Sequence, residues 1–263
     1  MSPDAPVEIV GRDAGDTRAA PPRICRLLEL GITEYEPAWR MQERLAAARV
    51  AVEIDDVLVL LQHPHVFTLG RHGDESHILV RGKDLLGIGA TYYHSDRGGD
   101  ATYHGPGQIV GYPILDLRAR GADVRQYVRD LEETLIRTLA AFGIAAGRAD
   151  GLPGVWVGDL KIAALGVKVS KWVSRHGFAL NVDPDLRYFD LIVPCGLHGK
   201  RATSMAAVLG RAVTVDEVLP VLKGHFADVF GVVLSDGLVA TNWLGGDEVG
   251  SSDRWGGAGT DGR

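Results

Sequence analysis

Between residues 57 and 117 the chain carries four short runs, VLVLL (57–61), VFTLG (66–70), TYYHS (91–95) and QIVGYPILDL (108–117), with no long helical period among them. Runs of this length, rich in Val, Ile, Tyr and Phe and bounded by Gly, Pro or Asp, suit strands better than helices. VLVLL and VFTLG read as buried strands. Further strands are expected at ICRLLEL (24–30), GVWVG (154–158), KIAALGVKVSKWV (161–173), GFALNV (177–182) and LIVPC (191–195). Helices come at intervals. Thr33 with Glu36 has the spacing of a capping box and opens a helix carrying Trp39, Leu45 and Ala46. Val124, Tyr127, Val128, Leu131, Leu135, Leu139 and Phe142 fall at helical spacing over 123–142, and Gly143 supplies the stop. A second capping box, Thr214 and Glu217, opens a helix running to about 230. Strands clustered in the middle with helices between them predict an α+β single domain with a mixed, largely antiparallel sheet packed by helices.

No linker rich in Pro, Gly or Ser divides the body. Residues 1–22 hold four Pro and no periodic pattern, and read as a flexible leader. Residues 241–263, largely Gly, Ser and Asp, read as a flexible tail, which leaves 23–240 as the folded domain. The 28 Lys and Arg against 34 Asp and Glu give a net charge of −6. That sign disfavours nucleic acid as a partner, because phosphate binding wants a basic face. No apolar run approaches the ~18 residues of a membrane span, and the first residues lack a signal-peptide pattern. A cytoplasmic protein is expected, a monomer by default since no heptads or spare apolar helix faces are left over. Two cysteines, Cys25 and Cys195, form neither a disulfide framework nor a CxxC motif.

Four stretches carry residues with chemical potential. In DRGGDATYHGPGQ (96–108) the glycines allow close backbone approach or positive φ. Arg97 is placed to bind an anion or a carbonyl, and His104 either shuttles protons near neutral pH or is merely hydrogen-bonded beside a tight turn. In HPHVFTLGRH (63–72), His63, His65 and His72 make a loop with partly buried imidazoles a better reading than zinc, since no Cys or acidic ligand lies beside them. Lys161 sits beside Ile162, Ala163, Ala164 and Leu165. From position alone an edge-strand charge is the better reading, against a group that tunes a neighbour. Cys195, in IVPCGL, follows an apolar strand and is flanked by Pro194 and Gly196. A lone cysteine is more often a buried hydrophobe, yet a strand-end turn is also where backbone donors or a cation can lower a thiol's pKa. Cys25, within an apolar strand, reads as structural.

Together, HPHVFTLGR, RGGDATYHGPGQIVGYPI, DGLPGVWVG, KIAALGVKVS, HGFALNV and IVPCGL resemble the octanoyltransferases of lipoate synthesis, the lipoyl(octanoyl) transferases. The pieces occur in the family's order over about 60–210. The resemblance implies the fold shared with biotin and lipoate protein ligases, and transfer of an octanoyl group from octanoyl-acyl carrier protein to a lysine of lipoyl domains, those of 2-oxoacid dehydrogenase E2 subunits and of the glycine cleavage H protein. It gives Cys195 the acyl group as a thioester and has Lys161 lower the pKa of that thiol, with no cofactor and no metal. It assigns the acyl pocket to Arg97, Gly98, Gly99, Asp100, Ala101, Thr102, Tyr103 and His104, to Ala164, Leu165 and Gly166, and to Gly177, Phe178 and Ala179.

The chemistry is self-consistent. The donor is already a thioester, so cysteine attack exchanges one thioester for another with little change in energy and no ATP. Lys161, or His104, is then available for the proton that the target lysine must lose. Backbone N–H groups around Cys195 and Gly196, or in the glycine loop, are candidates for holding the oxyanion. From Lys161 to Arg201, seven Lys or Arg stand against three Asp, either a rim steering acidic carrier proteins or a solvated mixed surface. An ATP-using lipoate or biotin protein ligase is the main rival reading, and a non-catalytic acyl-binding protein the second. Neither would need Cys195.

Overall fold

The computed structural model describes residues 23–193, 201–236 and 243. In chain order, β1 (Arg23–Ile32) leads into α1 (Tyr35–Val50) and returns through β2 (Asp56–Gln62). β3 (Val66–Leu69), α2 (Gly82–Gly87), β4 (Thr91–His94) and β5 (Ala101–His104) follow, then β6 (Gln108–Ile114) and α3 (Val124–Ala141). The second half runs β7 (Gly147–Ala149), β8 (Leu152–Val157), β9 (Leu160–Ser170), β10 (Val173–Asn181), β11 (Arg201–Ala202), α4 (Met205–Leu209), α5 (Val215–Phe230) and β12 (Val232–Asp236).

Among the described residues the large sheet has the order β12-β1-β2-β6-β10-β9-β8-β7, with β11 added beside β9. Pairs from β2 to β7 are antiparallel, while β12–β1, β1–β2 and β9–β11 are parallel. The expected mixed, largely antiparallel sheet is thus present. β2 shows why its sequence is apolar throughout. Val57, Val59 and Leu61 pack with Ala38, Met41 and Leu45 of α1 on one face. Leu58 and Leu60 face Leu131 and Leu135 of α3 and Leu222 and Phe226 of α5 on the other. Side chains alternate across a strand, so a strand covered on both faces is apolar at every position. A second sheet, β4-β3-β5, closes over its own cluster, in which Phe67, Leu69 and Tyr103 meet Ile78 and Ile192.

Three expectations need correction. KIAALGVKVSKWV is two strands: Lys171 and Trp172, at φ 51° and 65°, turn β9 back into β10. Successive positive φ values mark a tight hairpin turn whose twist matches the strands it joins. LIVPC contributes no regular strand in its described part, where Ile192 makes an isolated bridge to Ile78 after a 3₁₀ turn over Leu186–Leu191. The box at Thr33 does not form either. Its N–H is taken by the Gln62 carbonyl (2.9 Å) and its hydroxyl turns back to the Leu30 carbonyl (3.3 Å), so α1 starts at Tyr35 with no side-chain cap. The box at Thr214 and Glu217 is complete, and α5 ends where Gly231 adopts the left-handed conformation.

Where strands meet helices, His63 is a buried joint. Nδ1–H donates to the Thr33 carbonyl (2.6 Å), and Nε2 accepts from the Tyr112 hydroxyl (2.7 Å). Burial outweighs the bond to Thr33 and pushes its pKa down to about 4.

Two stability outcomes follow from these contacts. Thr214→Ala should cost roughly 1 kcal/mol in urea unfolding and Thr33→Ala clearly less, and equal losses would mean that Thr33 caps α1 after all. The folded His63 resists a proton that the unfolded chain accepts near pH 6.5, so its contribution is intact above that pH and lost progressively down to about pH 4. Between pH 6.5 and 5 the wild type should lose about 1.6 kcal/mol more than His63→Gln. Parallel stability profiles would show that His63 is protonated without penalty.

Candidate active site

The segment 95–100 leaves β4 and crosses in front of β9 and β10. Arg97 organises it. Its buried guanidinium donates to the Thr68 carbonyl (2.7 Å) and hydroxyl (2.8 Å), to the Asp100 carbonyl (2.7 Å) and to the Gly98 carbonyl (3.1 Å). These bonds make Arg97 a clamp on backbone carbonyls of β3 and of the loop itself. The approach is close enough to exclude a side chain at Gly70, where a Cβ would lie 2.3 Å from the Gly99 carbonyl oxygen. The Gly98 N–H donates to the Val167 carbonyl (2.9 Å), so it is already engaged and cannot serve as an oxyanion donor.

One residue earlier, Asp96 ties the same segment to the large sheet. Its carboxylate accepts from His176 Nε2 (2.7 Å), Lys168 Nζ (2.6 Å) and Arg175 Nη2 (2.6 Å), and Arg175 also reaches Glu43 on α1 (3.0 Å). Burial works against ionisation of Asp96, but the bonds from His176 and Lys168 and the charge of Arg175 outweigh it. The carboxyl is held well below the usual range. This accounts for part of the basic run as well. Lys168 and Arg175 turn inward to Asp96 and Arg187 pairs with Asp185 (2.6 Å). Lys200 lies outside the described residues.

Beneath the segment, β9 and β10 offer an unusually bare floor. Ala164 pairs with Ala179 and Gly166 with Gly177, and cross-strand partners share a face of the sheet. Four small side chains therefore leave a cleft of about 930 Å³, counted out to its open mouth. Gly166 lies directly under the loop, where a Cβ would be 3.0 Å from the Gly98 carbonyl oxygen. Leu165 and Phe178, the intervening pair, belong to the cluster under α3 and α5. The Phe178 ring covers Gly111 so closely that a Cβ there would be 2.2 Å away.

Most of the residues assigned by resemblance line this one cleft: Arg97, Gly99, Asp100, Ala101, Thr102, His104, Lys161, Ala164, Leu165, Gly166, Gly177, Phe178 and Ala179. Two do not. Gly98 is behind the wall, bonded to Val167. Tyr103 points the other way along β5, into the small sheet's cluster, where its hydroxyl meets His65 Nδ1 (2.7 Å) and its ring stacks on Tyr188 at 4.9 Å. Cys195 lies outside the described residues. The chain leaves them after Val193, whose N–H donates to the His77 carbonyl (2.8 Å), and returns at Arg201. Ile192 and Arg201 both line the cleft.

Lys161 is not on an edge. At Leu160 and Lys161, β9 has β8 on one side and β11 on the other. Its ammonium lies 4.8 Å from the centre of the Trp156 ring, a cation–π distance. His104 does not titrate near neutrality. Burial, then the neighbouring His63 and Arg97, push its pKa well below the ordinary value and keep the ring neutral. The three histidines of the 63–72 stretch do not converge: His63 and His65 bond to Tyr112 and Tyr103 respectively, and His72 is exposed. Among the described residues no cluster with metal-binding character occurs. Cys25 is fully buried in the core and its thiol is pushed up to about 12, chiefly by burial, which fits the structural reading. The cleft also has walls that sequence reasoning passed over: Tyr35, Gln108, Tyr112, Trp156, His176 and Asn181. Trp156, His176 and Asn181 stand inside the motifs already quoted, whereas Tyr35 reads only as the start of a helix.

Residues 34–227 match the family described as lipoyl protein ligase A/B catalytic domain. The chain is 53% identical over 208 residues to the octanoyltransferase of Solibacter usitatus, covering 79% of this chain and 94% of that one. To the octanoyltransferase of Gloeobacter violaceus it is 50% identical over 214 residues, covering 81% and 93%. In structure it is similar to a bipartite lipoate protein ligase from Thermoplasma acidophilum, with a TM-score of 0.64 at 19% identity over 84% of this chain and 90% of that one. A lipoate-protein ligase A bound with ATP gives 0.63 at 18% identity, over 83% and 91%. These two likenesses show the fold. Family match and close relatives together make this chain a member of the lipoyl protein ligase A/B catalytic domain family and, within it, of the octanoyltransferases, the acyltransferases of lipoate biosynthesis.

Proposed function

We propose that residues 23–240 form a catalytic domain that moves an octanoyl group from octanoyl-acyl carrier protein to one lysine of a lipoyl domain, through a thioester on Cys195. The acceptors are the lipoyl domains of 2-oxoacid dehydrogenases and the glycine cleavage H protein, and the reaction takes place in the cytoplasm. The observation that carries this reading is the convergence of Lys161, the Ala164–Ala179 floor and the glycine loop on one cleft. Ile192 and Arg201, on either side of the segment that holds Cys195 in sequence, line the same cleft. Among the described residues no helix is long and apolar enough to cross a membrane.

In the first half, the Cys195 thiolate bonds to the acyl carbonyl carbon. The carbon–sulfur bond to the carrier breaks, and the carrier thiol departs with the proton that Cys195 gave up. A thioester replaces a thioester, so ATP is not required. The Lys161 ammonium favours the thiolate, and each pKa unit removed from the thiol is worth about 1.4 kcal/mol. In the second half, the acceptor amine bonds to the same carbon, the carbon–sulfur bond breaks to release the Cys195 thiolate, and the proton that the nitrogen loses passes to Lys161 or His104. The small side chains of the floor leave room for a chain of methylenes, whose transfer from water into the cleft supplies roughly 0.8 kcal/mol each.

Intact-protein mass spectrometry after mixing with octanoyl-acyl carrier protein, without ATP, tests the reading. One octanoyl adduct is expected, mapping to Cys195, removed by hydroxylamine and by an acceptor lipoyl domain, and missing in Cys195→Ala. Modification of the lipoyl domain only with free octanoate, ATP and magnesium would overturn it in favour of a ligase. Lys161→Ala should slow acylation at pH 7 by about tenfold, with recovery toward alkaline pH as the thiol ionises unaided. A loss that is the same at every pH would remove Lys161 from the activation of the thiol.

A further inference from the structure

The cleft is closed at one end only. Gly99 and Arg201, among its lining residues, are exposed, whereas Tyr35, Val110, Tyr112 and His176 are buried. The sheet register accounts for the closure. Ala164 pairs with Ala179, and Ala179 pairs in turn with Val110 of β6, so one row of the floor passes from two small side chains to a larger one. Tyr112 stands two residues further along β6, on the same face. Neighbouring strands lie about 4.8 Å apart, so the bare floor from β9 across β10 to β6 is about 10 Å wide. That is close to the reach of an extended octanoyl chain.

The buried end is a box of aromatic rings. Tyr35 stacks on His104 at 6.3 Å, and Tyr112 meets His176 edge-on at 6.2 Å. Both hydroxyls are engaged: Tyr35 donates to the Ser95 hydroxyl (2.9 Å) and Tyr112 to His63 Nε2 (2.7 Å). Burial disfavours the charged forms of His104 and His176. With hydroxyls tied and imidazoles uncharged, the box suits the methyl end of an acyl chain. Tyr112 is also held by more than packing. Its partner His63 is anchored through Nδ1–H to the Thr33 carbonyl (2.6 Å), so the ring hangs on the backbone that leads into α1. Swinging it aside would leave the phenol O–H and His63 Nε2 buried without partners, which is costly.

We propose that Tyr112, pinned by His63, sets the acyl chain length: the methyl end of the octanoyl group stops against its ring. This deepens the function proposed above and rests on its placing the acyl chain in this cleft. A chain that enters from the Lys161 end crosses Ala164 and Ala179 before it meets Val110 and Tyr112. A shorter chain leaves the box partly unfilled, at a loss of about fourfold in kcat/KM for each missing methylene. A longer one must displace the pinned ring or fold back toward the mouth, and a packed wall resists both.

The test offers hexanoyl-, octanoyl-, decanoyl- and dodecanoyl-acyl carrier protein together and reads by mass spectrometry which chain arrives on a lipoyl domain. The wild type should deliver octanoyl, with hexanoyl about fifteenfold behind. Tyr112→Val removes the ring and keeps a side chain that suits a strand, and it should shift the preference to decanoyl or dodecanoyl. Tyr112→Phe keeps the ring and loses only the pin, so it decides the matter if the valine variant does not fold. Its decanoyl-to-octanoyl ratio should rise about fivefold. An unchanged octanoyl preference in folded Tyr112→Val, or a wild-type ratio in Tyr112→Phe, would overturn the proposal. If the wild type delivers no chain to the lipoyl domain, it is the transferase reading that fails, and the length stop falls with it.

Discussion

The site depends on the buried guanidinium of Arg97. A loop of glycines and polar residues has no apolar face of its own to hold it against a sheet, and its carbonyls need donors once water is excluded. Arg97 supplies several donors from one rigid plane, to Thr68 at the end of β3 and to Gly98 and Asp100 within the loop. Burying that charge is costly, and the cost is offset only if the N–H groups find acceptors with good geometry. Here they do. The result is a wall at a fixed height above Gly166 and Gly177, and that height is the cleft.

The same short segment joins three bodies that would otherwise only touch. Ser95 accepts from the Tyr35 hydroxyl at the start of α1 (2.9 Å), Asp96 binds His176 on β10, and Arg97 holds the small sheet. His176 itself sits at φ 55°, with its N–H on Gln42 of α1 (2.7 Å), a backbone state that a non-glycine residue keeps only when its surroundings over-determine it. Polar contacts of this kind add little net stability, since most replace bonds to water. They do restrict the site to one arrangement, which a purely apolar packing would leave looser.

Much of this was legible in the residues. Capping at Thr214, the helical period over 123–142 and the apolar strands beside α1 are local signals, and the structure repeats them with small shifts at their ends. The pairing of Ala164 with Ala179 was less so. The sequence shows small residues in two motifs, but only the hairpin at Lys171 and Trp172 sets the register that puts them opposite each other. Thr33 fails as a cap because a distant strand takes its N–H, a competitor that no local pattern announces.

What the sequence by itself determined was the three long helices and most of the longer strands, the family they belong to, and many of the motif residues that line the cleft, because strand alternation, helix period and turn chemistry are properties of neighbours along the chain. The direction of each charge was decided only in three dimensions. Lys168 and Arg175 belong to a basic run in sequence, yet they fold inward onto Asp96. Lys161, which reads as an edge charge, is flanked by β8 and β11. Tyr103 and His104 are adjacent, yet one enters the small sheet's core and the other the cleft. An ionisable side chain takes its role from the partners and the solvent around it, and those come from segments tens of residues away that meet only when the sheet closes.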